Sequence, residues 1–154
     1  MNCLDVKLKE LVFATAEYES MLLLRNEVLR IPLGRVLDEK DLEGEQWQRH
    51  FALVSVRGDT LAACLCVRDL GENTYKIRQM AVSENCRKRG LGRRLVLAVE
   101  QILLHEGAQI IVLNARITAV EFYRKMGYSI CGKTFDEVGI PHVKMQKNLA
   151  GEKG

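Results

Sequence analysis

Hydrophobic positions change rhythm along this chain, and each rhythm predicts a different element. Between Thr15 and Arg30 the apolar residues Met21, Leu22, Leu24, Val28 and Leu29 recur at helical spacing, and Ile31-Pro32 with Gly34 end that helix. The acidic stretch Asp38 to Glu45 reads as a long surface loop or a short helix. Two apolar runs, Phe51–Val56 and Leu61–Val67, flank Arg57-Gly58-Asp59-Thr60 and predict a hairpin. Tyr75–Val82 predicts a third strand of that sheet. From Leu91 to Glu106 the period is again helical, with Leu91, Leu95, Val96, Val99, Ile102 and Leu103 on one face and Gly107 as the stop. Ile110-Ile111-Val112-Leu113 is a short, fully apolar strand of the kind buried between helices. Ile117–Met126 predicts another helix with Gly127 as its C-cap, and closing strands follow near Tyr128–Gly132 and His142–Lys147. The order β-α-β-β-β-α-β-α-β-β implies an α/β domain with a mixed central sheet of six to seven strands, antiparallel first and partly parallel across the long helix.

Composition narrows the class. A chain of 154 residues with 47% apolar and 28% charged residues is one domain's worth of ordinary globule, which excludes disorder, collagen and coiled coil. No apolar run reaches the roughly 18 residues of a membrane helix, and the start, Met1-Asn2-Cys3-Leu4-Asp5-Val6-Lys7, lacks the apolar stretch of a secretory leader. Five cysteines without a CxxC pair argue against a disulfide framework or a zinc ribbon and fit a reducing cytoplasm. Cys64 and Cys66 share a strand face and read as small core residues. Cys86, beside Arg87, Lys88 and a helix N-terminus, is expected to be an alkylation-sensitive thiol. His50 and His105 carry no partner pattern and read as structural; three scattered histidines give no support for a metal site.

Two glycine-rich strings compete for the chemistry. Arg87-Lys88-Arg89-Gly90-Leu91-Gly92-Arg93-Arg94 lies between a predicted strand and the long helix, where glycines let backbone N–H groups converge and the helix dipole adds to them. Cations at a helix N-terminus are disfavoured by about 0.3–1 kcal/mol each, a penalty that a bound polyanion reverses. The loop therefore reads as a cradle for a pyrophosphate. Gly127-Tyr128-Ser129-Ile130-Cys131-Gly132-Lys133-Thr134 matches the P-loop string literally, yet it follows a helix, is strand-prone, and leads into a Gly- and Pro-containing segment. That match is rejected.

Taken in order, Ile77-Arg78-Gln79-Met80-Ala81-Val82, the loop Arg87–Gly92 with its helix, Leu113-Asn114-Ala115, and Ala119–Tyr128 resemble the GCN5-related N-acetyltransferase (GNAT) superfamily. The tail Phe135–Met145 is similar to its ElaA and YjcF-type bacterial members. The resemblance is tight over residues 75–149 and loose before that, and implies one N-acetyltransferase domain over residues 1–154, with residues 1–50 on the acceptor side and a sheet splayed between two parallel strands. It further implies acetyl-CoA as cosubstrate and no metal. The pyrophosphate would rest on Arg87, Lys88, Arg89, Gly90, Leu91, Gly92 and Arg93, and the pantetheine would pair with Met80, Ala81 and Val82. Asn114, Ala119, Phe122 and Tyr123 would line the thioester arm.

The chemistry then demands an amine without its proton. A lysine-like amine of pKa about 10.4 is neutral in about one molecule in 2,500 at pH 7, equivalent to ~4.6 kcal/mol. A base, desolvation and attack geometry must supply the difference. The resemblance makes the Val82 amide the donor that polarises the thioester oxygen, and Tyr123 the acid that protonates the departing thiolate. Relatives tend to carry Glu where this chain has Arg78, which removes the obvious base; His142 is the first choice instead and Glu137 the second. Arg78 would bind an acidic group of the acceptor. Acceptor choice is expected from Ile31–Trp47 and Phe135–His142, with a small molecule or a peptide amine both open, and apolar edges near the C-terminus favour a homodimer. The competing function is a non-catalytic acyl-CoA-binding or interaction module. A nucleic-acid contact through Arg87–Arg94 is disfavoured, because the cluster lacks interleaved aromatics and the net charge is only +3.

Overall fold

The computed structural model describes Cys3 and residues 5–58 and 60–149. Met1, Asn2, Leu4, Asp59 and residues 150–154, on which parts of the leader, hairpin-turn and tail readings fall, lie outside the described residues. The chain forms two compact units: Met1–Arg68 with Gln79–Val99, and Asp69–Arg78 with Glu100–Gly154. Among the described residues no helix is long and apolar enough to cross a membrane.

The first unit carries β1 (Val6–Leu11), α1 (Ala16–Arg25), β2 (Arg49–Ser55), most of β3 (Leu61–Gly71), the end of β4 (Thr74–Val82) and the start of α2 (Leu91–His105). Its strands run in the order β1-β2-β3-β4. β1 and β2 are antiparallel from Val6 opposite Ser55 to Leu11 opposite His50, and β2 pairs with β3 the same way, with a bulge at Leu53/Val54. Uninterrupted runs of buried Val, Leu, Ala and Cys explain why β2 and the front of β3 are covered on both faces. The helix α1 starts where Thr15 accepts the Tyr18 amide at 3.3 Å and acidic Glu17 and Glu19 meet the dipole. The helical stretch reaches the predicted Arg30 with a change of form: Asn26–Arg30 widens into a π turn, and Ile31–Leu33 tightens into a 3-10 turn around Pro32. Tyr18, Met21 and Leu24 point from α1 into a core with Leu11, Ala52, Val54, Leu61, Cys64, Cys66 and Ala81. The acidic stretch forms turns ending in a 3-10 turn, Glu45–Trp47, whose Trp47 is 83% exposed.

One expectation about the cysteines is corrected here. Cys3 and Cys86 form a disulfide, with Cα atoms 5.4 Å apart, so Cys86 is not a free thiol. The two lie 83 positions apart in sequence, and only folding brings the segment ahead of β1 to the turn before α2. Cys64 and Cys66 form no disulfide and are fully buried, as expected of core residues.

In the second unit β4 pairs with β5 (Ile110–Arg116) in parallel, and β5 pairs with β8 (Ile140–Asn148) antiparallel. β6 (Ser129–Ile130) and β7 (Phe135–Glu137) both add to β8, and α3 (Val120–Arg124) follows a 3-10 turn, Ile117–Ala119. The mixed α/β class therefore stands, with parallel and antiparallel pairs and flanking helices. β7 is one strand more than the hydrophobic pattern predicts. It exists because Val138 and Gly139 both take positive φ, 47° and 79°, and close a two-residue hairpin between Glu137 and Ile140. Buried Glu100 accepts from Lys147 Nζ and from Tyr128 Oη, each at 2.8 Å, joining the end of α2 to β8 and to the residue before β6. The literal P-loop string runs into strand β6 rather than a helix, so it forms no P-loop.

Candidate active site

In the first unit the site begins at a break in β4. Gln79 sits at φ +55°, a conformation that non-glycine residues seldom adopt, and its side-chain Oε1 is buried without a hydrogen-bond partner among the described residues. Met80 and Val82 are half-buried and Ala81 is buried, and the Ser83 amide donates to the Ala62 carbonyl at 2.8 Å. A 3-10 turn, Glu84–Cys86, then hands the chain to Arg87 in extended conformation. Lys88 (φ 63°) and Gly90 (φ 72°) are both left-handed, the alternation that turns successive N–H groups into a concave nest. The Arg94 amide donates to the Gly90 carbonyl at 3.0 Å, so Gly90 caps α2 and the amides of Leu91, Gly92 and Arg93 fall in its first turn, where no helical carbonyl can accept them. Arg87, Lys88, Arg89 and Arg93 are exposed around that point, whereas Leu91 and Gly92 are buried. Arg94 is committed elsewhere, donating Nη2 to the Val6 carbonyl at 3.1 Å.

The same unit contains a buried polar cluster that the sequence does not announce. Arg25 holds Glu45 with two bonds, Nη1 to Oε1 at 2.8 Å and Nη2 to Oε2 at 3.1 Å, both side chains at 0% exposure. Tyr18 Oη donates to Glu45 Oε1 at 2.8 Å. His50 bridges the backbone carbonyl of Glu45 (Nε2, 2.9 Å) and Cys66 Sγ (Nδ1, 3.2 Å), and Arg25 Nη1 also reaches Cys66 Sγ at 3.4 Å. Burial opposes the charge on Arg25, but Cys66 and Glu45 beside it hold its pKa above the ordinary value. Burial, with the bond to Glu45, likewise raises that of Tyr18. Glu45, His50 and Cys66 present one ligand atom each within 4.8 Å of one another, a spacing a metal ion could use. The cation this trio meets is the Arg25 guanidinium, so we assign the cluster to structure.

In the second unit Asn114, Ala119, Phe122 and Tyr123 lie on β5, the 3-10 turn and α3. Tyr123 is buried, packs edge-to-face on Phe122 at 5.0 Å and on Tyr128 at 5.8 Å, and its hydroxyl makes no hydrogen bond among the described residues. Burial pushes its pKa up to about 12, so it stays protonated through neutral pH. Around the β7–β8 hairpin three expected or half-expected residues meet. Asn114 Nδ2 donates to Glu137 Oε1 at 3.3 Å, and His142 Nε2 stands 3.5 Å from Glu137 Oε2. His142 Nδ1 lies 2.9 Å from the Ile140 carbonyl, with Phe135 stacked on the ring at 6.1 Å. The sequence offers both His142 and Glu137 but not their link to Asn114. The available signal was Gly139 between two strand-prone runs, which sets Glu137 opposite Ile140.

Residues 33–149 match the model of the acetyltransferase (GNAT) domain family. Among relatives, the uncharacterised N-acetyltransferase YjcF of Bacillus subtilis is 36% identical over 74 residues, 47% of this chain and 53% of its own. The chain thus spans about half the length of the curated Bacillus subtilis relatives it matches. Escherichia coli ElaA superposes with a TM-score of 0.79 at 20% identity, covering 93% of this chain and 99% of its own. An aminoglycoside 6'-N-acetyltransferase solved with coenzyme A gives 0.71 at 18% identity, covering 92% and 96%. At such identities these two structures establish the fold alone.

Proposed function

We propose, from the premise that this chain belongs to the GNAT acetyltransferase family, that it transfers an acetyl group from acetyl-CoA to a primary amine by direct attack in a ternary complex, working as one acetyltransferase domain. The observation that carries this reading is the loop ahead of α2. Left-handed Lys88 and Gly90 gather backbone amides at a helix N-terminus, and four exposed cations surround it. Lys88 to Arg93 would hold the diphosphate on main-chain N–H groups, with the Arg87, Lys88, Arg89 and Arg93 side chains supplying the remaining positive charge. Met80, Ala81 and Val82, just past the break at Gln79, would pair with the pantetheine arm, and the Val82 amide would meet the thioester oxygen. Acetyl-CoA supplies the activated acyl carbon.

Heating should reveal the cosubstrate directly. At one hundred times its Kd, acetyl-CoA should add about 2.7 kcal/mol and raise Tm by about 5–11 °C, whereas ATP at the same concentration should leave Tm in place. An unmoved Tm with acetyl-CoA would remove the cradle from the account. On the chemical side, Tyr123 keeps its proton at neutral pH and its hydroxyl has no hydrogen-bond partner among the described residues, which suits it to protonate the thiolate. Tyr123→Phe is expected to lower kcat about 10–100-fold with little change in acetyl-CoA affinity. An unaltered kcat would leave Tyr123 a packing residue. His142 takes part through the hairpin described above. Acceptor choice falls to Ile31–Trp47, where Trp47 is exposed, and to Phe135–His142. The cytoplasmic setting belongs to this proposal, and there the Cys3–Cys86 bond would face a reducing medium.

A further inference from the structure

Resting on the acetyl-transfer reading, we infer that Glu137 is the group that meets the acceptor: its carboxylate binds a cationic primary amine and takes the proton that must leave before attack, while His142 and Asn114 hold it in place. Exposure separates the two candidates first. The Glu137 side chain is 46% exposed, whereas that of His142 is at 5%. Hydrogen-bond accounting separates them further. A backbone carbonyl only accepts, so the 2.9 Å contact to Ile140 places a proton on His142 Nδ1. The other ring nitrogen is turned to Glu137 Oε2. Nδ1 is thereby closed to an incoming amine, and Nε2 belongs to a side chain only 5% exposed.

Glu137 is in the opposite position. Asn114 Nδ2 meets Oε1 and His142 Nε2 faces Oε2, one partner from β5 and one from β8. A carboxylate has about four acceptor sites on its two oxygens, so positions remain open on the exposed side. The support is rigid: Val138-Gly139 closes the hairpin at Glu137, Phe135 stacks on the imidazole, and Arg116 and His142 are register partners across β5 and β8. The other charged residues at this corner are Arg116 itself, Lys144 opposite Asn114, and Asp136 next to Glu137.

The step balances as follows. The ammonium gives one proton to Glu137, leaving a neutral amine and a carboxylic acid. The amine nitrogen forms its bond to the thioester carbon, the C–S bond breaks, and the thiolate takes the second amine proton, relayed through Tyr123 or water. Glu137 returns its proton to solvent. The first transfer is uphill in water, since a free carboxyl titrates near 4.3 and a lysine-like amine near 10.4. Expelling water narrows the gap, because the transfer cancels two opposite charges.

The isosteric variant Glu137→Gln tests this with acetyl-CoA and three primary amines graded in basicity: spermidine, lysine and glycinamide. At pH 7 we expect kcat/KM to fall about 100-fold. The deficit should shrink to less than about tenfold near pH 10, where roughly three in ten lysine-like amines arrive already neutral, and should be smaller for glycinamide than for spermidine. Glu137→Asp should recover part of the loss, and acetyl-CoA affinity by calorimetry should match the wild type in both variants. A Glu137→Gln enzyme within twofold of wild type at pH 7 overturns the proposal, as does a deficit that ignores pH. So does a wild type that binds acetyl-CoA yet acetylates none of the three. A wild type that fails to bind acetyl-CoA sinks instead the transferase reading beneath it.

Discussion

Exchanging Glu45 for glutamine is expected to lower the unfolding free energy by about 3–5 kcal/mol. Glutamine keeps the shape and can still accept from Tyr18 Oη, so neither a cavity nor a lost hydroxyl partner accounts for the effect. What changes is charge. Arg25 lies at 0% exposure with both terminal nitrogens on the Glu45 carboxylate, and its Nε already lacks a partner among the described residues. Removing the anion strands a guanidinium that can neither reach water nor shed its proton. Domains of this size are stable by about 5–15 kcal/mol, so the loss is about a fifth or more of the whole. Urea unfolding measures it. The double variant Arg25→Met with Glu45→Gln should be less destabilised than Glu45→Gln alone, because it removes the stranded cation. If the single variant lost less than about 1 kcal/mol, the pair would not be what holds this cluster.

The second large effect belongs to the loop ahead of α2. Gly90→Glu should weaken acetyl-CoA binding about 100-fold, roughly 2.7 kcal/mol by calorimetry. A Cβ at Gly90 meets nothing within 4 Å, so space is not the obstacle. The backbone is: φ of +72° costs a side chain roughly 1–2 kcal/mol. The new carboxylate would also occupy the first-turn amides itself, a favourable interaction for the helix that denies them to the diphosphate. Fold and affinity should therefore part company, with stability changed by no more than about 2 kcal/mol. Gly90→Ala separates the contributions, since it carries the backbone cost without the charge. If Gly90→Ala weakened binding as much as Gly90→Glu, conformation rather than electrostatics would govern the cradle.

What could be read along the chain, and what could not, follows from the range of the interactions. The α2 helix, the apolar β5 and the β2–β3 hairpin rest on local periodicity and turn chemistry, and they appear close to where the pattern puts them. The loop Arg87–Gly92 was legible for the same reason, because a nest is made of neighbours. The Arg25–Glu45–His50–Cys66 cluster was not. Glu45 sits in a stretch that reads as acidic surface, and a carboxylate goes inside only when a partner neutralises it. That partner is 20 residues away, and nothing local marks it. The disulfide is hidden by the same logic over 83 residues. The apolar stripe that continues to Leu29 does keep the chain helical to Arg30, but periodicity does not show that the last five residues widen into a π turn ahead of Pro32. At the hairpin, Glu137 and His142 were both visible as chemistry. Which of them faces outward depended on a strand only three residues long, below the length at which alternation can be recognised.

The sole tryptophan of the chain, Trp47, stands almost wholly in water in the folded protein. Its indole emission therefore reports solvent in the native state as well as in urea, and carries little news of the core. Backbone circular dichroism is the signal for the Glu45 series. Indole quenching is better kept for the neighbourhood of Ile31–Trp47, where a ligand that settles against the ring would dim or blue-shift a lamp the fold leaves switched on.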